Sequence, residues 1–256
     1  MKIIEDNTLK QINRETENPI VVVVISADIE WREIKLLLPL MEIHTSPFGE
    51  WSDTEFDVNG EHQKVTFVQG GWGKIAAAAS TQYIIDRWEP DYLINLGTCG
   101  GFQGEITQGT IILVSKTIVY DILEQMGDPD EAIAHYTTYL DLTWLTEDYP
   151  QDVVKTALIS GDKDLIPAEI PALRMKFDVV AGDWESGAIA YIASLNGTKC
   201  LILRGVTDIV GTAGGEAYED IDIFIHNTRE VLEKLVNALP DWLGLFEASR
   251  INIDVS

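Results

Sequence analysis

Apolar residues fall along this chain in short blocks separated by polar or glycine-rich breaks. "IVVVVIS" at residues 20–26 is an unbroken β-branched run, the pattern of a strand buried on both faces in a parallel sheet. "EIKLLLPLM" follows with helical character and ends near Pro39. "KVTFVQGGWG" predicts a strand running into glycines, and "KIAAAASTQYIIDRW" at residues 74–88 predicts an alanine-rich helix stopped before Pro90. "YLINLGTCGG" again predicts a strand that ends in a glycine turn, and "GTIILVSKTIVYD" is a further β-rich run. Residues 121–150 mix acidic and aromatic side chains without a clean period and predict an irregular excursion. "VVKTALISGD" returns to strand. "DWESGAIAYIASLNG" predicts a helix stopped at Gly197, and "KCLILRGVTDIVG" a strand ending in a turn. The last regular element is a helix over "DIDIFIHNTREVLEKLVNALPDWLG", whose apolar residues recur at three and four. Strands alternating with helices predict a layered α/β fold.

Composition narrows this picture. With 256 residues, 46% of them hydrophobic, the chain can bury a sizeable core. No linker or internal repeat interrupts it, so a polar tail over residues 1–18 and one domain over residues 19–256 are expected. No apolar run reaches the ~18 residues of a membrane span. The opening "MKIIEDNTLKQINRETENPI" carries acids and lacks the apolar core of a signal peptide. Cys99 and Cys200 are too few for a disulfide framework and lack metal-site spacing. A cytoplasmic protein is expected. The 42 acidic and 18 basic residues give a formal charge of −24, which repels phosphate backbones and disfavours nucleic acid while leaving a small neutral ligand open.

Ligands of open α/β sheets bind beyond the carboxyl ends of the strands. Four such ends are polar or glycine-rich here: "SADIEW", "GGWG", "GTCGG" and "TDIVG". With "GDWESG", which opens a helix, they present three notable carboxylates: Glu30, Glu185 and Asp208. Each also has an ordinary reading. Glu30 and Glu185 suit first-turn helix acids, and Asp208 a cap or turn. It is their joint placement at strand ends that raises the functional reading.

"GWGKIAAAASTQYIIDRWEPDYLINLGTCGGF", "DWESGAIAYIA" and "LRGVTDIVG" together resemble the nucleoside phosphorylase and nucleosidase superfamily, nearest to its 5'-methylthioadenosine/S-adenosylhomocysteine nucleosidase group. The similarity spreads from Val21 to about Leu239 and is weakest over residues 121–150. The order of the motifs makes it specific. The resemblance implies a single-domain three-layer α/β/α fold with a mixed, partly barrel-like central sheet. It also implies a purine N-ribosyl hydrolase that releases adenine from a 5'-modified adenosine. In that reaction an oxocarbenium-like sugar forms, the leaving purine must be stabilised, and water attacks the opposite face. Asp208 matches the acid acting at purine N7, Glu185 the carboxylate that binds the ribose hydroxyls, and Arg204 an arginine near the water-activating acid. Glu30 is the candidate water activator, with Glu33 the alternative if the register slips. Thr98 offers a hydroxyl to the ribose or the water. The glycines of "GTCGG", Gly100 among them, would let the backbone approach the nucleoside; a tight turn is the plainer account. Cys99 lines that motif and reads as a structural thiol. No metal or organic cofactor is implied, and a homodimer is.

Departures leave alternatives. Asn95 stands near where the phosphorylase branch carries an arginine, and "SADIEW" replaces its arginine-bearing loop, so water is preferred over phosphate. Trp184 and Asp28 stand where the group usually has methionines. In "SGDKDLIP" Leu165 and Ile166 are left to cover the purine, because Lys163 and Asp164 precede them. Residues 121–150, with Tyr136, Tyr139 and Trp144, are expected to shape the 5' side of the pocket, although Trp144 equally suits a packing role. A phosphate-dependent phosphorylase and an inactive nucleoside-binding or storage relative remain the competing functions.

Overall fold

A computed structural model of the protein describes residues 18–253, apart from residues 40, 147, 213 and 216–219. All of the expected polar tail but Asn18 lies outside the described residues. The sheet is built on β1 (Val21–Ile25), which pairs in parallel with β4 (Glu61–Gln69) on one side and β5 (Tyr92–Phe102) on the other. β5 pairs in parallel with β10 (Lys199–Gly211). From β10 the ladder continues through β6 (Ile111–Val119), β8 (Val154–Ser160) and β9 (Ala181–Asp183) and returns to β5, which closes a five-stranded ring. β2 (His44–Ser46) and β3 (Gly49–Val58) extend the open wing beyond β4, β7 (Thr137–Tyr139) pairs with β6, and the short β11 (Gly214–Gly215) with β10. The fold is a single α/β domain with a mixed, partly closed sheet between two helical layers.

The apolar blocks read as expected because both faces of the central strands are covered. Val21, Val23, Ile25, Tyr92, Ile94, Leu201 and Leu203 face a core that includes Trp31 and Ile34 of α1 (Asp28–Leu37) and Leu232, Leu235 and Leu239 of α6 (Ile221–Ile253). The alternate residues Val22, Val24, Leu93, Cys200 and Ile202 face the other core, with Ala77 and Ile84 of α2 (Gly73–Trp88) and Ile189 and Ala193 of α5 (Ser186–Leu195).

Three expectations are corrected. "YLINLGTCGGF" does not end in a glycine turn: it is one strand of 11 residues, and "KCLILRGVTDIVG" is one strand of 13. The two pair along their whole length, with Arg204 opposite Gly97, so the glycines sit inside a ladder. Residues 121–150 are not wholly irregular. They hold α3 (Pro129–His135), capped where the Asp128 side chain accepts from the Asp130 amide at 2.9 Å, and β7. The last helix, expected to pass through Pro240 and end at Gly244, continues to Ile253. An internal proline costs about 3 kcal/mol. Trp242, Leu243 and Phe246 beyond it are all buried, and each contributes roughly 1.5–3 kcal/mol, so packing wins. α4 (Ile170–Phe177), β2 and β3 had not been anticipated.

Candidate active site

A cavity of about 610 Å³ opens past the carboxyl ends of β1 and β9, against the interior of the paired strands β5 and β10. Its lining includes Glu30, Glu185 and Asp208, with Thr98, Cys99, Gly100, Leu165 and Trp184. Two predicted residues stand elsewhere. Ile166 is 43% exposed and is not in the lining, because the chain turns outward after Leu165. Arg204 is fully buried beneath the cavity and is not in the lining either.

Glu30 is the third residue of α1 and is held by three donors. Its Oε2 accepts from the Ala27 amide at 3.2 Å, and its Oε1 from the Thr98 amide at 2.7 Å and hydroxyl at 2.9 Å. The strand contact is available because β1 stops pairing with β5 at Val24 opposite Asn95, so Thr98 lies past the end of β1. Glu33 is turned away, in an ion pair with Arg229 at 2.6 Å, and is not in the cavity lining.

Glu185 stands at the N-terminal boundary of α5 and accepts from the Gly73 amide at 3.1 Å. Burial pushes its carboxyl up to about 8; Arg204 opposes this, and Asp183 and Glu30 add to it. Asp208 is placed by a bulge. Val206 pairs with Cys99 and Asp208 with Gly100, leaving Thr207 as the extra residue. Thr207 donates to Asp208 Oδ1 at 3.2 Å, and Asn227 of α6 donates to the Thr207 carbonyl at 2.8 Å, fixing the bulge. A Cβ added at Gly100 would lie 3.1 Å from Leu165 Cδ1 and 3.8 Å from Asp208 Oδ1.

The glycine motif serves the protein's own side chains. A Cβ at Gly97 would overlap the guanidinium of Arg204 and crowd Glu30 Oε1 at 2.9 Å. Arg204 crosses under β5 at that point and donates to Asn95 Oδ1 at 2.7 Å and Ser186 Oγ at 2.9 Å, beside Asp183 Oδ2 at 2.9 Å. The Cys99 thiol is 4% exposed, and its pKa is raised above the ordinary range, first by burial and then by Asp183.

Several lining residues were not foreseen. Trp72, 66% exposed, stacks on Trp184 with ring centroids 4.8 Å apart; its place in "GGWG" at a strand end was the available signal. Ile221 and Phe224 at the start of α6 also line the cavity and carried no signal beyond being apolar. No described residue of 121–150 lines it, which corrects the expectation for the 5' side. Trp144 packs instead against Tyr92 and Phe246, at 5.2 Å from each ring. Tyr139 is 76% exposed on the surface, and Tyr136 packs on His135 and Tyr191. Among the described residues no group of three or more His, Cys, Asp or Glu side chains is arranged to hold a metal ion, and no helix is long and apolar enough to cross a membrane.

A family model described as "Phosphorylase superfamily" matches residues 21–239. A 5'-methylthioadenosine/S-adenosylhomocysteine nucleosidase from Maridesulfovibrio salexigens is 31% identical over 206 residues, covering 75% of this chain and 88% of that one. The MTA/SAH nucleosidase of Streptococcus pneumoniae, solved with 8-aminoadenine, has a TM-score of 0.68 at 18% identity, with 88% and 99% of the two chains covered. The futalosine hydrolase of Helicobacter pylori has a TM-score of 0.71 at 15% identity, with 88% and 98% covered. At these identities the two structures speak for the fold.

Proposed function

The chain belongs to the phosphorylase superfamily and is an N-ribosyl hydrolase of it, and we propose that it releases adenine from a 5'-modified adenosine of the methylthioadenosine or S-adenosylhomocysteine kind. The observation that carries this reading is the convergence of Glu30, Glu185 and Asp208 on one cavity, from α1, the start of α5 and the bulge in β10. Asp208 acts on the base: a proton donated at purine N7 prevents negative charge from building on the leaving group. Glu185 accepts from the ribose hydroxyls and, as an anion, stabilises the cationic ring. Glu30 takes a proton from the attacking water. Its Oε2 has one donor, at 3.2 Å, and a carboxylate oxygen keeps a second lone pair for water. Thr98 gives its hydroxyl hydrogen to Glu30, so its oxygen remains an acceptor for that water.

Water rather than phosphate is the acceptor. Among the described residues the basic ones of the lining are Arg32 and Lys163, and Lys163 is engaged by Glu169 at 2.7 Å. Against them stand Asp28, Glu30, Asp164, Asp183, Glu185 and Asp208, a field that repels a dianion. The decisive assay follows free adenine from methylthioadenosine and S-adenosylhomocysteine in phosphate-free buffer. Release without phosphate is expected; release only with phosphate, or from no adenosine derivative, refutes the reading. One observation supports a different 5' group: Asp28 and Trp184 line the cavity where methionines were expected. Futalosine, named for the H. pylori relative, therefore belongs in the same assay.

The cytoplasmic location and the homodimer implied by the resemblance are part of this proposal.

A further inference from the structure

Arg204 has more carboxylates around it than it can serve. Its Nε lies 2.9 Å from Asp183 Oδ2, whereas its Nη1 and Nη2 stay 3.9 Å from Glu30 Oε1 and 3.9 Å from Glu185 Oε2. The remaining edges are taken by Asn95 Oδ1 at 2.7 Å and the Thr98 carbonyl at 3.4 Å. Asp183 is itself fixed from behind. Ser160 Oγ donates to it at 2.5 Å, the Ser186 amide reaches both its oxygens at 3.3 and 3.2 Å, and the Ser186 hydroxyl donates as well. All these groups but the half-buried Thr98 are buried.

We propose that Asp183 is a positioning residue for the hydrolysis: it anchors Arg204 so that the guanidinium balances Glu30 and Glu185 from a distance and closes on neither. The proposal rests on the roles given above to Glu30 and Glu185. Its physical content is a charge count. One guanidinium faces three buried carboxylates, and a buried cluster with that excess holds a proton. Facing Glu185 are Glu30 of α1, the Gly73 amide of α2, Asp183 of β9 and Arg204 of β10. The Cys99 thiol of β5 and Asp208 of β10 belong to the same cluster. Arg204, already ion-paired with Asp183 and hydrogen-bonded to Ser186 and Asn95, does not neutralise Glu185, which therefore takes the proton. A ribose diol, by donating two hydrogen bonds, makes Glu185 ionise as the nucleoside enters, its proton passing to bulk water.

The test is a carbon-13 carboxyl NMR titration of Glu185 in the ligand-free protein, assigned with Glu185→Gln. Asp183→Asn removes a negative neighbour and frees Arg204 to approach Glu185, so the midpoint should fall by about one pH unit or more. Asn95→Asp adds a negative charge that holds Arg204 more firmly, so the midpoint should rise. The acidic limb of kcat/KM for adenine release should move the same way in each variant, which a purely structural loss would not produce. A midpoint unmoved by either change, or moved the same way by both, overturns the proposal. If Asp183→Asn does not fold, Asn95→Asp decides alone, and no upward shift overturns it. The titration needs no turnover. Shifted midpoints without base release from any nucleoside count against the hydrolase reading only, whereas base release with fixed midpoints counts against Asp183 only.

Discussion

The two ends of the cavity handle charge in opposite ways. Around Glu185, polar groups interlock: the buried Asp183, Arg204, Asn95, Ser160 and Ser186 and the half-buried Thr98 are joined through hydrogen bonds from four strands and a helix start. Asp208 stands beside Gly100, where Leu165 and Val210 also approach, and accepts from Thr207 at 3.2 Å. Once the nucleoside has ionised Glu185, such a network can hold the charge against a cationic sugar because its dipoles are already oriented. A carboxyl with apolar neighbours suits a group that must give up a proton and take it back. The difference teaches that three acids of similar burial, 2% for Glu30 and 6% for each of the others, need not share a role.

The contrast is tested hardest at Asp208. Asp208→Asn keeps the shape and removes the transferable proton, so turnover should fall by a factor on the order of 10² to 10⁴. Substrate affinity, measured by calorimetry on the inactive variant, should change far less. An unchanged rate would remove Asp208 from the mechanism.

At the networked end, Glu185→Gln should lower kcat/KM by about 10²-fold, with ribose affinity lost as well as rate. Stability should respond in the other direction. The folded protein holds the Glu185 proton more tightly than the unfolded chain, its carboxyl being raised to about 8 from 4.5, chiefly by burial. That contribution is present in full below the unfolded value and is lost as pH rises through the folded one. Melting temperatures across that window should therefore show the wild type losing ground to Glu185→Gln as pH increases, by about 2–4 °C for each kcal/mol. Parallel curves for the two proteins would mean that Glu185 is ionised throughout.

The sheet strands were legible because burial on both faces leaves an unbroken β-branched run such as Val21–Ile25. The three carboxylates could be found from their order along the chain, and they do meet around one cavity. What could not be read was where the strands end. "GTCGG" and "TDIVG" have the composition of turns, yet each pairs with the other, and the glycines answer to Arg204 and Leu165, which are remote in sequence. The bulge that aims Asp208 depends on a register between two strands and leaves no trace in either alone. The Asp128–Pro129 start of α3 was readable, since an acid before a first-turn proline is a helix-opening pair, but the acidic surroundings masked it. Asp183 shows the same limit. Beside Glu185 in "GDWES" it resembles a second first-turn acid, and only the fold reveals that it serves Arg204.

The smallest effect is expected at Cys99, between the two ends. A cysteine in the lining invites a covalent mechanism, but nucleophilic attack requires the thiolate. Burial first, and then the negative charges of Asp183, Asp208 and Glu30, keep this thiol protonated, with Arg204 alone opposing them. Its side chain belongs to the apolar core that faces α2 and α5. Cys99→Ala should therefore leave kcat within about threefold of the wild type and cost about 1 kcal/mol of stability, the scale of a small truncation in a packed core. Urea denaturation and adenine release measured on the same preparation separate the two quantities. A loss of turnover comparable to that of Asp208→Asn, with stability intact, would require a mechanism through sulfur and would end the division of labour drawn between the networked and the apolar side of the cavity.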